Sequence, residues 1–587
     1  HKLKSELTFF DYQKAFETWA LAHPRDKDEM EGTEEDESGS GWEHYKRWEY
    51  DMHGVVNKIT GAFPKKSAQQ VCQEFYQAHP QLRTRNASDW TSLGPNFSYS
   101  GYAGIGRLNC IAFHPTDLNT YWVGAAAGGL WMTTDNGNSW SCMTDHNGVL
   151  GVSDIIIPSD YDSTQTIYIA TGDREIWDNR SIGVLKSTDG GHSWNPTGLS
   201  FTIFDGAMTN RLLIDPDHTN VLIAATTWGV YKTEDGGAIW NHQLTGTEFI
   251  DMEYQPGNFN LLQGSTKYGQ IYYSDNGGET WNQSFNDPAA HRIELAVSPN
   301  QPTWVYALAA SDDSGLYGVF KSTDSGLTYN QVFYRDTANL LTWAPDGQDT
   351  GGQGWYDLSL AVSPTNANTV LLGGVNTWQS LDGGVTWKLV SHWAGDQAQA
   401  VHADKHMLRY RYNRDVFECN DGGVYLSRNN GQSWKDKSNG IVNSEMYRLG
   451  VSQTERGDVI TGLQDNGSKV LSAEQWYDVK GGDGFECWID YTDANIQYAT
   501  LYFGQLDRTD DHWNGSVDIT PYQAGDGAWL TPYVIDPVDP NILYGGFKDL
   551  WRSADKGASW DSISALNSTT LLQSLAVAPS DHQVIYA

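Results

Sequence analysis

Short apolar runs and turn residues alternate along most of the chain in one recurring order. An apolar segment, a Pro/Asp/Asn turn, a second apolar segment, a glycine, an aromatic segment and a polar octet follow one another, as in CIAFHPTDLNTYWVGAAAGGLWMTTDNGNSW (110–140). Strand-length apolar runs separated by turn residues predict antiparallel hairpins. The leading pieces recur as LLIDPDHTNVLIA (212–224), LAVSPNQPTWVYAL (295–308), LAVSPTNANTVLLGG (360–374) and VIDPVDPNILYGG (534–546). The octets recur as TTDNGNSW (133–140), STDGGHSW (187–194), SLDGGVTW (380–387), SADKGASW (553–560) and four others, on the template Ser/Thr-x-Asp/Asn-x-Gly-x-Ser/Thr-Trp. Between 434 and 560 the template lapses, but LGVSQTERGDVITG (449–462) and WIDYTDANIQYAT (488–500) open two further units. The count is ten units and the opening of an eleventh, with a period of about 47 residues.

A period of this length, with several short strands per unit, predicts the blades of a β-propeller. The expected fold class is all-β, as two seven-bladed propellers in tandem or as one ten-bladed ring followed by a further segment. The tandem is favoured because three more units would complete fourteen. The octets read as hairpin turns, with Asp bonding nearby amides, Gly supplying positive φ and Trp packing on an adjoining strand.

Residues 1–89 follow another rhythm. Phe9, Tyr12, Phe16 and Trp19, then Trp42, Tyr45, Trp48 and Met52, then Val71, Phe75 and Ala78 fall at helical spacing, which predicts three short helices. The acidic run RDKDEMEGTEEDESGSG (25–41) reads as a solvated loop between the first two. WTSLGPN (90–96) reads as the first propeller strand, so the expected domains are a helical region, 1–89, and a propeller array, 90–587.

Charge and composition narrow the partners. Lys+Arg 38 against Asp+Glu 73 gives −35, which excludes a nucleic-acid binder that works by neutralising phosphates. No run approaches the ~20 apolar residues of a membrane span. The start HKLKSELTFF has neither an initiator Met nor an apolar signal core, and reads as the end left after a signal peptide is removed from a secreted or surface protein. The chain stops inside a strand at VIYA, so the natural protein is expected to continue. The five cysteines form no CxxC pair and read as lone thiols, with one bridge, Cys110 to Cys142, left open.

Loops that leave a repeat template are where a repeat protein places its site. Such departures cluster in consecutive units: His402, Asp404 and His406 in VHADKH, Asp421 in CNDGGVY, Asp465 in GLQDNGS and Asp483 in GGDGFECWID. On a strand, His402, Asp404 and His406 would share one face. Clustered carboxylates would raise one another's pKa for acid/base work or hold a calcium ion through oxygen ligands. A further candidate is Trp177 in the insertion TGDREIWDNRSIG (171–183), a sugar-stacking platform among acids and an arginine. Trp355, in the Gly-rich loop WAPDGQDTGGQGWYD (343–357), is open to the same reading.

The octets are the element known as the Asp-box, or bacterial neuraminidase repeat, and the units resemble sortilin-type and xyloglucanase-type propellers over about 100–587. The run GWEHYKRWEYDM, followed by FPKKSAQQVCQEFYQ and SLGP, resembles the leader of large secreted Asp-box proteins of the Bacteroidota. That resemblance implies export by type IX secretion and leaves a component or cargo of a secretion or gliding assembly as a third reading. Xyloglucanases of this kind carry one catalytic acid in an Asp-Val-Gly-Gly turn of the first blade, where this chain reads Ala125-Ala126-Ala127-Gly128-Gly129 and so has Ala126. Their second acid lies in a Gly-x-Gly-Asp-x-Gly turn that GLQDNGS (462–468) resembles, which places Asp465 there. One carboxylate does not suffice for ordinary glycoside hydrolysis. The expectation is therefore a secreted, non-catalytic protein that recognises a polysaccharide or a surface protein. The alternative is a hydrolase or lyase using an atypical pair such as Asp465 and Asp483.

Overall fold

The computed structural model describes residues 7–22, 42–66, part of 71–80, 91–99 and 101–587 apart from 178, 204 and 567–569. The acidic run 25–41 lies outside the described residues, and the third helical stretch is described only in part. Helices Phe9–Ala22 and Trp42–Val55 form as expected. They meet through their aromatic stripes, with Phe16 stacked on Tyr45 at 3.7 Å. Residues 1–93 and 107–441 form one compact unit, and residues 94–106 and 442–587 a second.

In the first unit the repeats become seven sheets, blades 1 to 7, over 108–142, 152–200, 209–245, 249–286, 293–334, 359–400 and 405–436, antiparallel except that the short strand 399–400 joins blade 6 parallel to its neighbour. The seven close into a ring. Blade 7 meets blade 1 through the Arg409 guanidinium, which donates to Ile111 O at 2.8 Å, and through Phe113 and Phe417, 5.1 Å apart. The first strands of neighbouring blades are tied by side chains to backbone. Asp154 Oδ2 accepts from Leu212 N, and Asp251 Oδ2 from Leu295 N, both at 2.9 Å.

The octets close the last hairpin of their blades. In the first, Thr133 Oγ1 donates to Asp135 Oδ1 at 2.9 Å and accepts from Gly137 N, while Ser139 donates to Asp135 through both N and Oγ. Asp135 thus has donors on both oxygens, and its hydrogen bonds, that from the Ser139 hydroxyl first, hold it at about 2. Its task is the turn. Trp140 Nε1 reaches Lys437 O of blade 7 at 2.9 Å, so this octet also joins two blades.

In the second unit, three four-stranded sheets, blades 8 to 10 over 446–480, 487–518 and 533–562, are followed by a hairpin, 576–586. The count of ten units and an opening eleventh is what the sheets show, with seven of the ten in a closed ring. One expectation is corrected. Residues 91–96 form no strand, Trp90 lying outside the described residues, and the adjoining Phe97 packs on Val459, Leu471 and Trp476 of the second unit. Among the described residues Cys110 and Cys142 are free thiols, in line with the reading of lone thiols.

Candidate active site

The second unit brings Asp465 and Asp483 together. Asp465 lies in the turn between the second and third strands of blade 8, at φ 55°, and its amide donates to Asp483 Oδ1 at 2.6 Å. Backbone bonds lace the two loops: Gly467 N to Gly482 O at 2.7 Å, and Gly484 N to Leu463 O at 2.9 Å. The approach requires glycine. A Cβ on Gly467 would lie 1.8 Å from Lys480 O, and one on Gly484 would lie 2.3 Å from Gly467 O.

Aromatic rings wall this turn pair. The Tyr447 hydroxyl donates to Gln464 Oε1 at 3.1 Å, and its ring lies 4.5 Å from Phe485. Phe485 contacts Trp529 at 5.1 Å, on which Tyr502 is stacked at 5.7 Å. Tyr447 and Tyr502 keep part of their surface in solvent. Next to Phe485, the Glu486 carboxyl has its pKa raised by burial, against the Arg448 guanidinium 3.0 Å away. Sequence reading passed over Glu486 because it follows a departure it was taken as part of.

Asp421, His402, Asp404 and Trp177 belong to the first unit. Asp421 is buried; Oδ1 accepts from His406 Nε2 and Oδ2 from the Tyr356 hydroxyl, each at 2.6 Å. Burial would raise its pKa, but His406, Arg107 and Tyr356 hold it down at about 2. The expectation that His402, Asp404 and His406 share a strand face is not met. The strand begins at Lys405, and Asp404 has φ 64°. Asp404 Oδ1 accepts from Gln353 at 3.2 Å, whereas the His402 ring lies against Gly422. Among the described residues no group of three or more His, Cys, Asp or Glu could hold a metal ion. Trp177 is half-buried, with the Lys267 ammonium 5.5 Å from its ring centre.

Around the axis of the first unit lies a buried charge network that sequence reading missed. Arg107 binds Asp173 at 2.7 Å and the Tyr356 hydroxyl at 3.0 Å. Glu175 accepts from Arg292 at 2.5 Å and from Arg174 at 2.7 Å, and Arg211 faces Asp251 at 3.2 Å. Glu294 is pushed up to about 7 by burial and by Asp251, despite Arg174 and Arg292. The signal was present: Asp154, Arg211, Asp251, Glu294 and His406 each interrupt the apolar first strand of a blade.

Asp357 stands apart in this network. It is 1 % exposed, and among the described residues neither carboxylate oxygen has a hydrogen-bond partner. Burial and the neighbouring Asp421 charge raise its pKa well above the ordinary value. An acid whose folded pKa is raised favours folding fully below its unfolded pKa and loses that contribution as pH rises toward the folded pKa. Asp357→Asn is therefore expected to match the wild type near pH 4 and to become the more stable protein as pH rises. The gap should grow by up to ~1.4 kcal/mol per pH unit in that window. Thermal unfolding from pH 4 to 8 checks this; a gap that stays constant would refute it.

No family profile matches the chain. Among curated proteins it is similar to a xyloglucanase of Hypocrea jecorina, 25 % identical over 344 residues, which covers 50 % of this chain and 39 % of that enzyme. It is also similar to a xyloglucanase of Acetivibrio thermocellus, 23 % identical over 351 residues, covering 51 % of this chain and 40 % of the relative. The matched part thus spans about two fifths of the length of these relatives. In structure the chain resembles the GH74 xyloglucanase of Xanthomonas campestris, with TM-score 0.59, 16 % identity, and 80 % and 74 % of the two chains covered. It resembles an ancestral GH74 enzyme with TM-score 0.62 and 18 % identity, covering 85 % of this chain and 75 % of the other. At those identities the structural likeness speaks to the propeller fold. The curated relatives overturn the expectation of a non-catalytic binding protein, since both cleave a polysaccharide. Ala126 lies in the turn after the second strand of blade 1, one position before the place that Asp465 holds in blade 8, since Gly124 pairs with Leu130 as Gly462 does with Ser468.

Proposed function

We propose that the protein is a glycoside hydrolase acting outside the cell on a neutral polysaccharide with a glucan backbone, of the xyloglucan type, with Asp465 and Asp483 as its carboxylates. The observation that carries this is the Asp465 turn held on the Asp483 carboxylate beside a cluster of aromatic rings, in a chain whose curated relatives are xyloglucanases. Hydrolysis of a glycosidic bond asks one carboxyl group to protonate the leaving oxygen and another to act as base or nucleophile. With Ala126 in blade 1, the second group must come from elsewhere, and Asp483 is the acid set against Asp465. The part-exposed rings of Tyr447 and Tyr502 suit the flat C–H faces of pyranose units. A formal charge of −35 disfavours an acidic polysaccharide as substrate.

The test is release of reducing ends by the full chain from xyloglucan, mixed-linkage β-glucan and polygalacturonate. Release from the neutral glucans and none from polygalacturonate is the expected pattern. A chain that releases nothing from any neutral glucan is not this hydrolase.

A further inference from the structure

Blades 3 and 4 close their second hairpins with the same pattern, Thr-x-aromatic-Gly: Thr226-Thr227-Trp228-Gly229 and Thr266-Lys267-Tyr268-Gly269. In each, the first Thr hydroxyl accepts the amide of the aromatic residue at 3.1 Å. The closing glycine has φ 124° in one turn and 69° in the other. The hydroxyl fastens the turn, so the ring stands at its tip instead of folding into the blade. Trp228 is 40 % exposed and Tyr268 62 %.

The two rings line a groove of about 720 Å³ together with Thr227, His242, Glu248 and Gln270. That volume lies within the ~300–1,000 Å³ of small-molecule sites. The groove is built as well as open. Trp228 is set by an edge contact with Phe201, 5.1 Å away at 70°. His242 is stacked on Tyr231 at 4.1 Å and donates from Nε2 to Trp228 O at 3.0 Å, which leaves Nδ1 of the neutral ring as an acceptor. Glu248 faces the Lys267 ammonium at 3.4 Å.

We propose that this groove of the first unit binds a neutral oligosaccharide, with pyranose rings lying on Trp228 and Tyr268 and their hydroxyls bonded by Thr227, His242, Glu248 and Gln270. Aromatic faces beside hydroxyl, carboxamide and carboxylate groups match the two chemistries of a sugar, its C–H face and its hydroxyl edge. An anionic glycan is disfavoured because Lys267 is already paired with Glu248 and the chain carries a large excess of acids. The site belongs to the first unit, whereas Asp465 and Asp483 belong to the second. It rests on the hydrolase reading only for the choice of probe.

The test is calorimetric titration of the full chain with cellotetraose, a xyloglucan oligosaccharide and a galacturonate tetramer, in an Asp465→Asn background that slows cleavage, with the probes checked for intactness after each titration. Trp228→Ala and Tyr268→Ala are each expected to weaken association with the neutral probes by several-fold to about tenfold. Trp228→Phe should retain most of it, and the unfolding temperature should not move, because both rings lie at the surface. Unchanged affinity in both alanine variants overturns the proposal, as does a parent that binds neither neutral probe or prefers the galacturonate. If ring-dependent binding is found while the wild type releases no reducing ends, the groove stands and the hydrolase reading falls. If release is found without ring-dependent binding, the groove alone is discarded.

Discussion

Asp465→Asn is expected to reduce release of reducing ends from xyloglucan by about 10²- to 10⁴-fold, the contribution of a positioned proton-transfer group. The change replaces a carboxyl by an amide of the same shape, and the Asp465 contact to Asp483 is made by its main-chain amide. The turn should therefore survive, with the unfolding temperature as the control. The loss should also depend on the leaving group. An aryl glycoside with an acidic phenol departs without a proton, so if Asp465 supplies that proton the activated substrate loses far less than the polymer. Equal loss on both substrates would assign Asp465 the other role, base or nucleophile. Activity near the wild-type level on the polymer would remove Asp465 from the chemistry. Asp483→Asn tests the pair, but this acid also accepts the Asp465 amide, so its variant needs the structural control most.

The repeat made the blades legible, because the hairpin pattern recurs from blade to blade and the octet, in the blades that keep it, supplies the same turn bonds. The partition into a closed seven-bladed ring was only favoured. Closure depends on Arg409 with Ile111 and Phe113 with Phe417, pairs about 300 residues apart that no local pattern announces. Asp465 and Asp483 were visible as breaks in the template, and their meeting needed backbone at the glycines to come closer than any side chain allows. The strand expected through His402 and Asp404 failed because alternation of polar residues cannot reveal a left-handed residue at Asp404. Trp228 and Tyr268 were passed over for the opposite reason. They occupy the same place in two consecutive repeats, so a search for departures does not find them.

The axial network gives the largest stability effect. Glu175 is buried between two guanidinium groups, Arg292 at 2.5 Å and Arg174 at 2.7 Å. Those three side chains come from the long insertion of blade 2 and the start of blade 5, so one carboxylate joins parts of the ring that are distant in sequence. Glu175→Gln keeps the volume and removes the charge, leaving two buried cations without their nearest counterion and with Glu294, 3.4 Å from Arg174 and 3.6 Å from Arg292, as the carboxyl they still share. Breaking a buried pair in this way costs about 3–5 kcal/mol. The pH dependence follows from the same geometry. Burial would raise the Glu175 pKa, but Arg292 and Arg174 hold it at about 2. A lowered folded pKa contributes stability that is present above the unfolded value, near ~4.3 for glutamate, and is lost as pH falls toward the folded one. The wild type should therefore exceed the variant most at neutral pH, and the gap should narrow between about pH 4 and 2. Because two units can unfold separately, the measurement is hydrogen exchange followed by peptides from blades 2 and 5, with peptides from blades 8 to 10 as the internal reference. Protection lost in blades 2 and 5 alone is the expected result, and a difference below about 1 kcal/mol there would show that the carboxylate does not hold the ring.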